Sequence, residues 1–188
     1  MKIMVVGSGG REHAIIKKLK QSDGVDKIYA LPGNGGISAD AVCVDISATD
    51  IESIVRFAKD YAVVAPDDPL VLGCVDALEA AGVPCFGPRA NAAIIEGSKV
   101  FSKKLMKKYG IPTAGYEVFT SAEAALGYVD GARMPIVIKA DGLALGKGVI
   151  IARTTDEARA AVNEIMLDKK FGKSGDSVVI EEFLTGPE

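Results

Sequence analysis

Apolar positions along the chain fall into two rhythms. Short runs rich in β-branched residues, Lys2 to Val6, Lys27 to Leu31, Tyr61 to Ala65 and Val83 to Phe86, alternate with stretches of helical period at Glu12 to Lys20, Ile51 to Lys59 and Leu70 to Ala81. Strands apolar on both faces, separated by amphipathic helices, are what a parallel βαβ sheet requires, so the first hundred residues are predicted to form a Rossmann-like parallel-sheet domain. The helices carry boundary signals of their own. Asp50 is placed to cap the helix beginning at Ile51, and Gly82 followed by Pro84 stops the one ending at Ala81. After Phe86-Gly87-Pro88, two helical stretches, Ala90 to Glu96 and Lys99 to Tyr109, follow one another with no strand between them, and Gly110-Ile111-Pro112 closes the second. A domain boundary is therefore expected near residue 100.

The remainder reads differently. A strand at Tyr116 to Phe119 and a helix at Ala122 to Val129 precede two apolar strands, Pro135 to Ala140 and Gly148 to Ala152, which flank a glycine loop like the arms of a hairpin. A helix over Thr155 to Met166, a polar loop and a strand over Ser177 to Leu184 complete the order. Three segments result: an α/β substrate-binding domain over 1–100, a helical linker over 101–120, and a small α+β lobe over 121–188. A lobe whose last element is a strand still needs something to bury its sheet faces. That exposed final strand is a candidate edge for pairing with a second copy, giving a homodimer.

Composition narrows the classes. The 188 residues are 48% hydrophobic, enough to fill the cores of two small domains. Lys plus Arg at 22 against Asp plus Glu at 25 leaves a net charge of −3, which argues against a nucleic-acid-coating surface. Cys43, Cys74 and Cys85 show no paired spacing, so the expected compartment is the reducing cytoplasm, with neither a zinc site nor a disulfide framework. No apolar run approaches the roughly 18 residues a membrane helix needs.

Chemistry is expected at the glycine loops. Gly7-Ser8-Gly9-Gly10-Arg11-Glu12-His13 follows the first strand and opens the first helix, where backbone N–H groups and the helix N-terminus favour an anion such as phosphate. It departs from a dinucleotide fingerprint, because Glu12 stands where the third glycine belongs and no acidic residue ends the second strand. A tight turn with no ligand is the alternative. His13, the single histidine, reads as a packing residue rather than a catalytic one. Pro32-Gly33-Asn34-Gly35-Gly36 and Ala65-Pro66-Asp67-Asp68-Pro69 both follow strands, at the carboxyl edge where open parallel sheets bind ligands. There the carboxylates either meet a sugar or an amine, or simply cap the next helix.

The loop Asp141-Gly142-Leu143-Ala144-Leu145-Gly146-Lys147-Gly148 is not a Walker A sequence, since the first glycine and the closing Ser or Thr are missing and strands flank it on both sides. Such a loop can fold over a triphosphate while Lys139, on the strand before it, supplies positive charge. Lys99 begins a helix, where a lysine opposes the macrodipole; a local conflict of that kind points to function.

Taken in order, Gly-Ser-Gly-Gly-Arg-Glu-His-Ala (7–14), Pro-Gly-Asn (32–34), Pro-x-x-Pro-Leu (66–70), Phe-Gly-Pro (86–88), Glu-Gly-Ser-Lys (96–99), Ile-Pro-Thr-Ala (111–114), Ile-Val-Ile-Lys-Ala-Asp-Gly-Leu-Ala (136–144), Gly-Lys-Gly-Val (146–149) and Val-Ile-Glu-Glu-Phe-Leu (179–184) resemble the amino-terminal part of the phosphoribosylamine–glycine ligases. These are ATP-grasp enzymes of purine biosynthesis. The resemblance implies a pre-ATP-grasp domain followed by a partial ATP-grasp domain, with ATP and Mg2+ (or Mn2+) as cofactors and glycine and 5-phosphoribosylamine as substrates. It implies that Lys99 and Lys139 touch ATP phosphates and that the loop with Asp141, Gly142, Gly146, Lys147 and Gly148 covers them. Glu181, Glu182, Phe183 and Leu184 would receive adenine, and Glu188 the ribose hydroxyls. Gly9, Gly10, Arg11, Glu12, Pro32, Gly33, Asn34 and Asp67 would face phosphoribosylamine. Where the family reads Gly-Pro-Glu this chain has Ala65-Pro66-Asp67, one methylene shorter. Family members are also longer, and their carboxyl half supplies the metal ligands and much of the glycine site, so this stretch alone is expected to lack ligase activity. The competing expectations are another ATP-grasp ligase, a non-catalytic nucleotide-binding or dimerising module and, last, a hydride-transfer enzyme.

Overall fold

The computed structural model describes residues 1–144 and 147–186, in two units, Met1–Ala93 and Ile94–Glu188. In the first, β1 (Lys2–Gly7), β2 (Lys27–Pro32), β3 (Val42–Cys43), β4 (Tyr61–Val64) and β5 (Cys85–Phe86) form one parallel sheet in the order β3-β2-β1-β4-β5. The central strand β1 is buried from Ile3 through Gly7, which explains its unbroken apolar run. Its two faces feed two cores. Met4, Val6, Leu31, Ala62 and Val64 pack with Ile54 of α2 (Ile51–Phe57) and with Val75 and Leu78 of α4 (Cys74–Ala80). Ile3, Val5, Ile28 and Ala30 pack with Ile16 of α1 (Gly10–Leu19) and with Ile37, which opens a 3-10 turn over Ile37–Ala39. Each fully buried side chain of this size contributes about 1.5–3 kcal/mol, so the sandwich is held from both sides.

Local signals set the helix ends. Asp50 accepts the Ser53 N–H at 3.1 Å and caps α2, as its position suggests. The single helix expected over Leu70 to Ala81 is two: α3 (Asp67–Val71) and α4, parted at Gly73, which sits at φ +82° where only glycine is comfortable. Pro66 occupies the N-cap of α3, so neither Asp67 nor Asp68 is spent on capping.

The chain leaves the first unit along α5 (Ala90–Gly97). In the second, α6 (Lys99–Tyr109) precedes β6 (Tyr116–Phe119), α7 (Ala122–Gly131), β7 (Ile136–Ala140), β8 (Val149–Ala152), α8 (Thr155–Val162, continued as a π-helical turn to Leu167) and β9 (Val178–Glu182). The sheet is antiparallel, in the order β6-β9-β7-β8. This corrects one expectation. The last strand offers no free edge to a second copy, because β9 is hydrogen-bonded to β6 on one side and β7 on the other; a homodimer through it has no geometric basis.

Alternation along the strands divides the work of the sheet. Ile136, Ile138, Ala140, Ala152, Val178 and Ile180 point to a core closed by Ala125 and Val129 of α7 and Ala158, Ala161 and Val162 of α8. Their neighbours point the other way: Val137 pairs with both Glu181 and Ile151, and Lys139 with both Val179 and Val149, so these share the opposite face. Helix α6 packs on β9 there. Val149 and Ile151 stay 46% and 48% exposed, which leaves that half of the face open and apolar. Among the described residues no helix is long and apolar enough to cross a membrane.

Candidate functional site

The open face of the second unit gathers the charged residues. Lys139 Nζ donates to Glu181 Oε2 at 2.9 Å, and Lys103 Nζ lies 3.1 Å from the same oxygen. Lys103 also donates to Thr113 Oγ1 at 2.7 Å and to the Ala114 carbonyl at 3.4 Å. Glu181 is 6% exposed, and its other oxygen, Oε1, is buried with no hydrogen-bond partner among the described residues. A buried carboxylate oxygen left without a donor is costly, and its presence marks a place prepared for one.

Lys99 reaches the glycine loop and donates to the Gly142 carbonyl. Burial pulls the pKa of this ammonium down; the Asp141 carboxylate opposes that shift, and the positive charge of Lys139 adds to it. An incoming polyanion would relieve both strains. The conflict of a lysine in the first turn of α6 has a structural answer as well. Ser98 accepts the Phe101 N–H at 3.0 Å as N-cap, and Asp141 arrives from across the unit to accept the Val100 N–H at 3.2 Å and the Ser98 hydroxyl at 3.1 Å. Asp141 also takes the Ser177 hydroxyl at 3.4 Å, so its carboxylate anchors the loop to α6.

The loop is pinned at both ends. The Asp141 N–H donates to the Ser177 carbonyl at 3.1 Å, and Ala140 N–H to the Gly148 carbonyl at 2.8 Å. Gly142 takes φ +103°, and a Cβ there would stand 2.5 Å from Ser174 Oγ. Lys147 is exposed beside the buried Gly148; Gly146 and Glu188, both expected to touch nucleotide, lie outside the described residues. Beyond β9, Phe183 is half-buried and Leu184 is 65% exposed, whereas Glu182 turns its carboxylate to the Gly115 N–H at 2.7 Å. A cleft of about 510 Å3 borders Glu181 to Phe183, together with Tyr116, Tyr128 and Met134, and does not include Lys99 or Lys139.

In the first unit, the loops after β1, β2 and β4 meet at the carboxyl edge, on either side of the point where strand order reverses. Gly7, at φ +124°, lies so close that a Cβ would be 2.6 Å from Glu12 Cγ and 2.7 Å from Pro66 Cγ. Glu12 is buried; Oε2 accepts the Gly9 N–H at 2.6 Å, and Oε1 the Arg11 Nε at 3.1 Å. The residue in the third glycine's place therefore closes the helix with a capping interaction, and the Gly9 N–H is engaged. Gly10 opens α1 at the surface. Arg11 is exposed, with one guanidinium nitrogen 3.7 Å from Asp67 Oδ1. Asn34 donates to the Ser8 carbonyl at 2.6 Å and accepts the Gly36 and Ile37 N–H groups at 2.7 and 2.9 Å, tying the first loop to the second. Pro32 and Gly33 lead into that loop; the Gly33 N–H donates to the Gly7 carbonyl at 3.1 Å. His13 has a partner that spacing does not reveal: its Nε2 is 2.8 Å from Asp40 Oδ2, while Lys20 holds Oδ1 at 2.8 Å.

The structure brings Lys99, Lys139, Asp141, Gly142 and Glu181 into one neighbourhood of the second unit, and places Gly9, Arg11, Glu12, Asn34 and Asp67 together at the carboxyl edge of the parallel sheet in the first. Sequence reasoning missed Ser98, Lys103 and Asp40. Ser98, directly before a helical run, carries an N-cap signal, and Lys103 is four residues beyond Lys99 on the same helical face. Among the described residues no group of three or more His, Cys, Asp or Glu side chains is arranged to hold a metal ion.

An antiparallel sheet with two lysines and a glycine loop on one face, preceded by a doubly wound parallel domain, defines an ATP-grasp architecture. The same fold, at 20% identity and a TM-score of 0.77 over 97% of this chain and 44% of the other, occurs in the biotin carboxylase domain of Hydrogenobacter thermophilus 2-oxoglutarate carboxylase. More narrowly, the chain belongs to the phosphoribosylglycinamide synthetase family: the family model of the N domain matches residues 1–96, and that of the ATP-grasp (A) domain matches 97–188. It is 52% identical, over its full length, to a phosphoribosylamine–glycine ligase of Listeria monocytogenes, covering 46% of that protein. The crystal structure of the Thermotoga maritima phosphoribosylamine–glycine ligase superposes with a TM-score of 0.83 at 32% identity, over all of this chain and 45% of that one. The chain thus spans about half the length of the relatives it matches.

Proposed function

We propose that the chain supplies the nucleotide grip and the ribosylamine-binding domain of a phosphoribosylamine–glycine ligase, which joins glycine to 5-phosphoribosylamine at the expense of ATP and works in the cytoplasm. The observation that carries this reading is the buried Glu181 Oε1, without a hydrogen-bond partner among the described residues, beside Lys139 and next to the open apolar strip of Val149 and Ile151. That combination suits adenine, whose exocyclic amino group is a donor and whose ring is apolar. Lys99 and Lys139 would meet the phosphates as point charges, and the 141–148 loop would lie over them. Leu184 and Phe183 would line the base, while Glu182 and Asp141 would hold β9 and the loop in place. In the first unit, Arg11 and Gly10 would take the substrate phosphate, and Asp67 the sugar or the amine, within a frame set by Glu12, Asn34 and Gly33.

In the complete enzyme the carboxylate of glycine would attack the γ-phosphorus, releasing ADP, and the amine of phosphoribosylamine would then displace phosphate from glycyl phosphate. Magnesium would supply further charge neutralisation, with its ligands in the remainder of the longer enzymes. Phosphoryl transfer rests mainly on positioning and charge, which makes the chain alone a nucleotide binder with negligible turnover. The test compares this chain with a full-length counterpart. ATP binding by both, with glycine- and phosphoribosylamine-dependent ADP release only by the longer protein, is expected. Absence of ATP binding by both, or equal turnover by both, would contradict the reading.

A further inference from the structure

We propose that Lys103 is a positioning residue for nucleotide recognition, the fixed counter-charge that holds Glu181 in place and leaves Lys139 free to engage the nucleotide. The inference rests on the nucleotide reading of this face and adds to it a division of labour between two lysines that share one carboxylate oxygen.

A count of donors carries the argument. An ammonium group has three N–H donors. Lys103 donates to Thr113 Oγ1 at 2.7 Å and to the Ala114 carbonyl at 3.4 Å, and its charge pairs with Glu181 Oε2 at 3.1 Å. Lys103 is 8% exposed and also lies 5.5 Å from the centre of the Tyr116 ring. It is enclosed and engaged by three protein groups, so it is not presented to a ligand. Among the described residues Lys139 donates to one acceptor, Glu181 Oε2 at 2.9 Å, and its side chain is 26% exposed. Two of its donors have no acceptor among the described residues.

Among the described residues Glu181 is bound on one oxygen only. Both lysines converge on Oε2, which rotates Oε1 away from them into its partnerless position. With Lys103 absent, Lys139 would be the one cationic partner left to the buried carboxylate among the described residues, and drawing Lys139 toward a phosphate or a base would leave a buried negative charge unpaired. That is an expensive state. With Lys103 present, Lys139 can move to the nucleotide while Oε2 keeps a charged donor and Oε1 keeps its aim.

The test is a double-mutant cycle read by ATP titration of the whole chain, with Lys103→Met, Glu181→Gln and the pair. Lys103→Met is expected to weaken ATP binding about tenfold, the scale of one charge-assisted hydrogen bond, and to change it less than about twofold in the Glu181→Gln background. Thr113→Val, a surface change that removes one of the three groups engaging Lys103, is expected to weaken binding about threefold with an unchanged far-ultraviolet spectrum, so the proposal does not depend on Lys103→Met folding. Lys103→Met and Thr113→Val binding ATP like the parent, or an equal loss from Lys103→Met in both backgrounds, would overturn the positioning role. Failure of the parent chain itself to bind ATP would instead remove the nucleotide reading, and this inference with it.

Discussion

Replacing Asp141 separates an anchor from a ligand. Its carboxylate accepts the Val100 N–H at the start of α6 and the hydroxyls of Ser98 and Ser177, at 3.1–3.4 Å. In Asp141→Ala these three donors lose their acceptor, and the positive end of α6 loses its only facing charge among these contacts. A charge-assisted hydrogen bond to a backbone N–H contributes about 1.5–3 kcal/mol and the helix-end charge about 0.3–1 kcal/mol. Because Asp141 is half-buried and the freed hydroxyls can turn to water, about 2–3 kcal/mol is expected for the second unit, roughly a 30- to 150-fold shift in its folding equilibrium. Asp141→Asn keeps the shape without the charge and should cost about 1 kcal/mol. Urea titration by circular dichroism, with hydrogen exchange over the first turn of α6 and over residues 141–148, reads both changes. Once stability is matched by working below the transition, ATP affinity should fall only modestly. Unchanged stability together with a hundredfold loss of affinity would refute the anchoring argument and return Asp141 to the nucleotide itself.

Other outcomes follow from the same contacts. The Lys20 ammonium, and after it the His13 ring, hold the Asp40 carboxyl down to about 2. The folded group is thus more acidic than an unfolded aspartate, so its stabilisation is complete above about pH 4 and is lost as pH falls toward 2. Melting temperatures of the parent and Asp40→Asn should therefore differ at pH 6 and converge in that window, and Lys20→Met should shrink the difference more than His13→Gln. Gly142→Ala places a methyl 2.5 Å from Ser174 Oγ at φ +103°, and a loss of about 1–3 kcal/mol is expected by melting; Ser174→Gly should recover only the part due to the clash, since the backbone strain at positive φ remains. Burial, and then the neighbouring Cys85, push the Cys74 thiol up to about 11, whereas Cys43 is exposed. Maleimide mass spectrometry should mark Cys43 within minutes and Cys74 only in denaturant; equal labelling in the native state would contradict the packing of α4.

Much of this architecture was legible from local pattern. Strand β6 and helix α6 run over the residues their periodicity marks, and Gly110, in the left-handed region, ends the helix where the sequence signals a stop. The second rhythm failed where one residue overrode it, at Gly73, and where an element was too short to have a rhythm, as in the two-residue β3. The lysines and the glycine loop stood out because a cation in a first helical turn and glycines between strands are locally odd. What distinguishes Glu181 from Glu182 was not visible. Adjacent and identical in sequence, they face opposite sides of β9; one is buried between two lysines, the other tied to Gly115. His13, Asp40 and Lys103 acquire their roles only from partners 27 and 78 positions away or on another element, which spacing along the chain cannot report.

The central claim is that two ammonium groups and a glycine loop on the open face of the second unit hold a triphosphate. Isothermal titration of the chain with ATP, beside the Lys99→Ala, Lys139→Ala double variant, tests it most directly. Measurable affinity in the parent and a loss of at least about a hundredfold in the double variant, the scale of two charge-assisted contacts, is the expected result. Equal affinity in the two proteins would contradict the account.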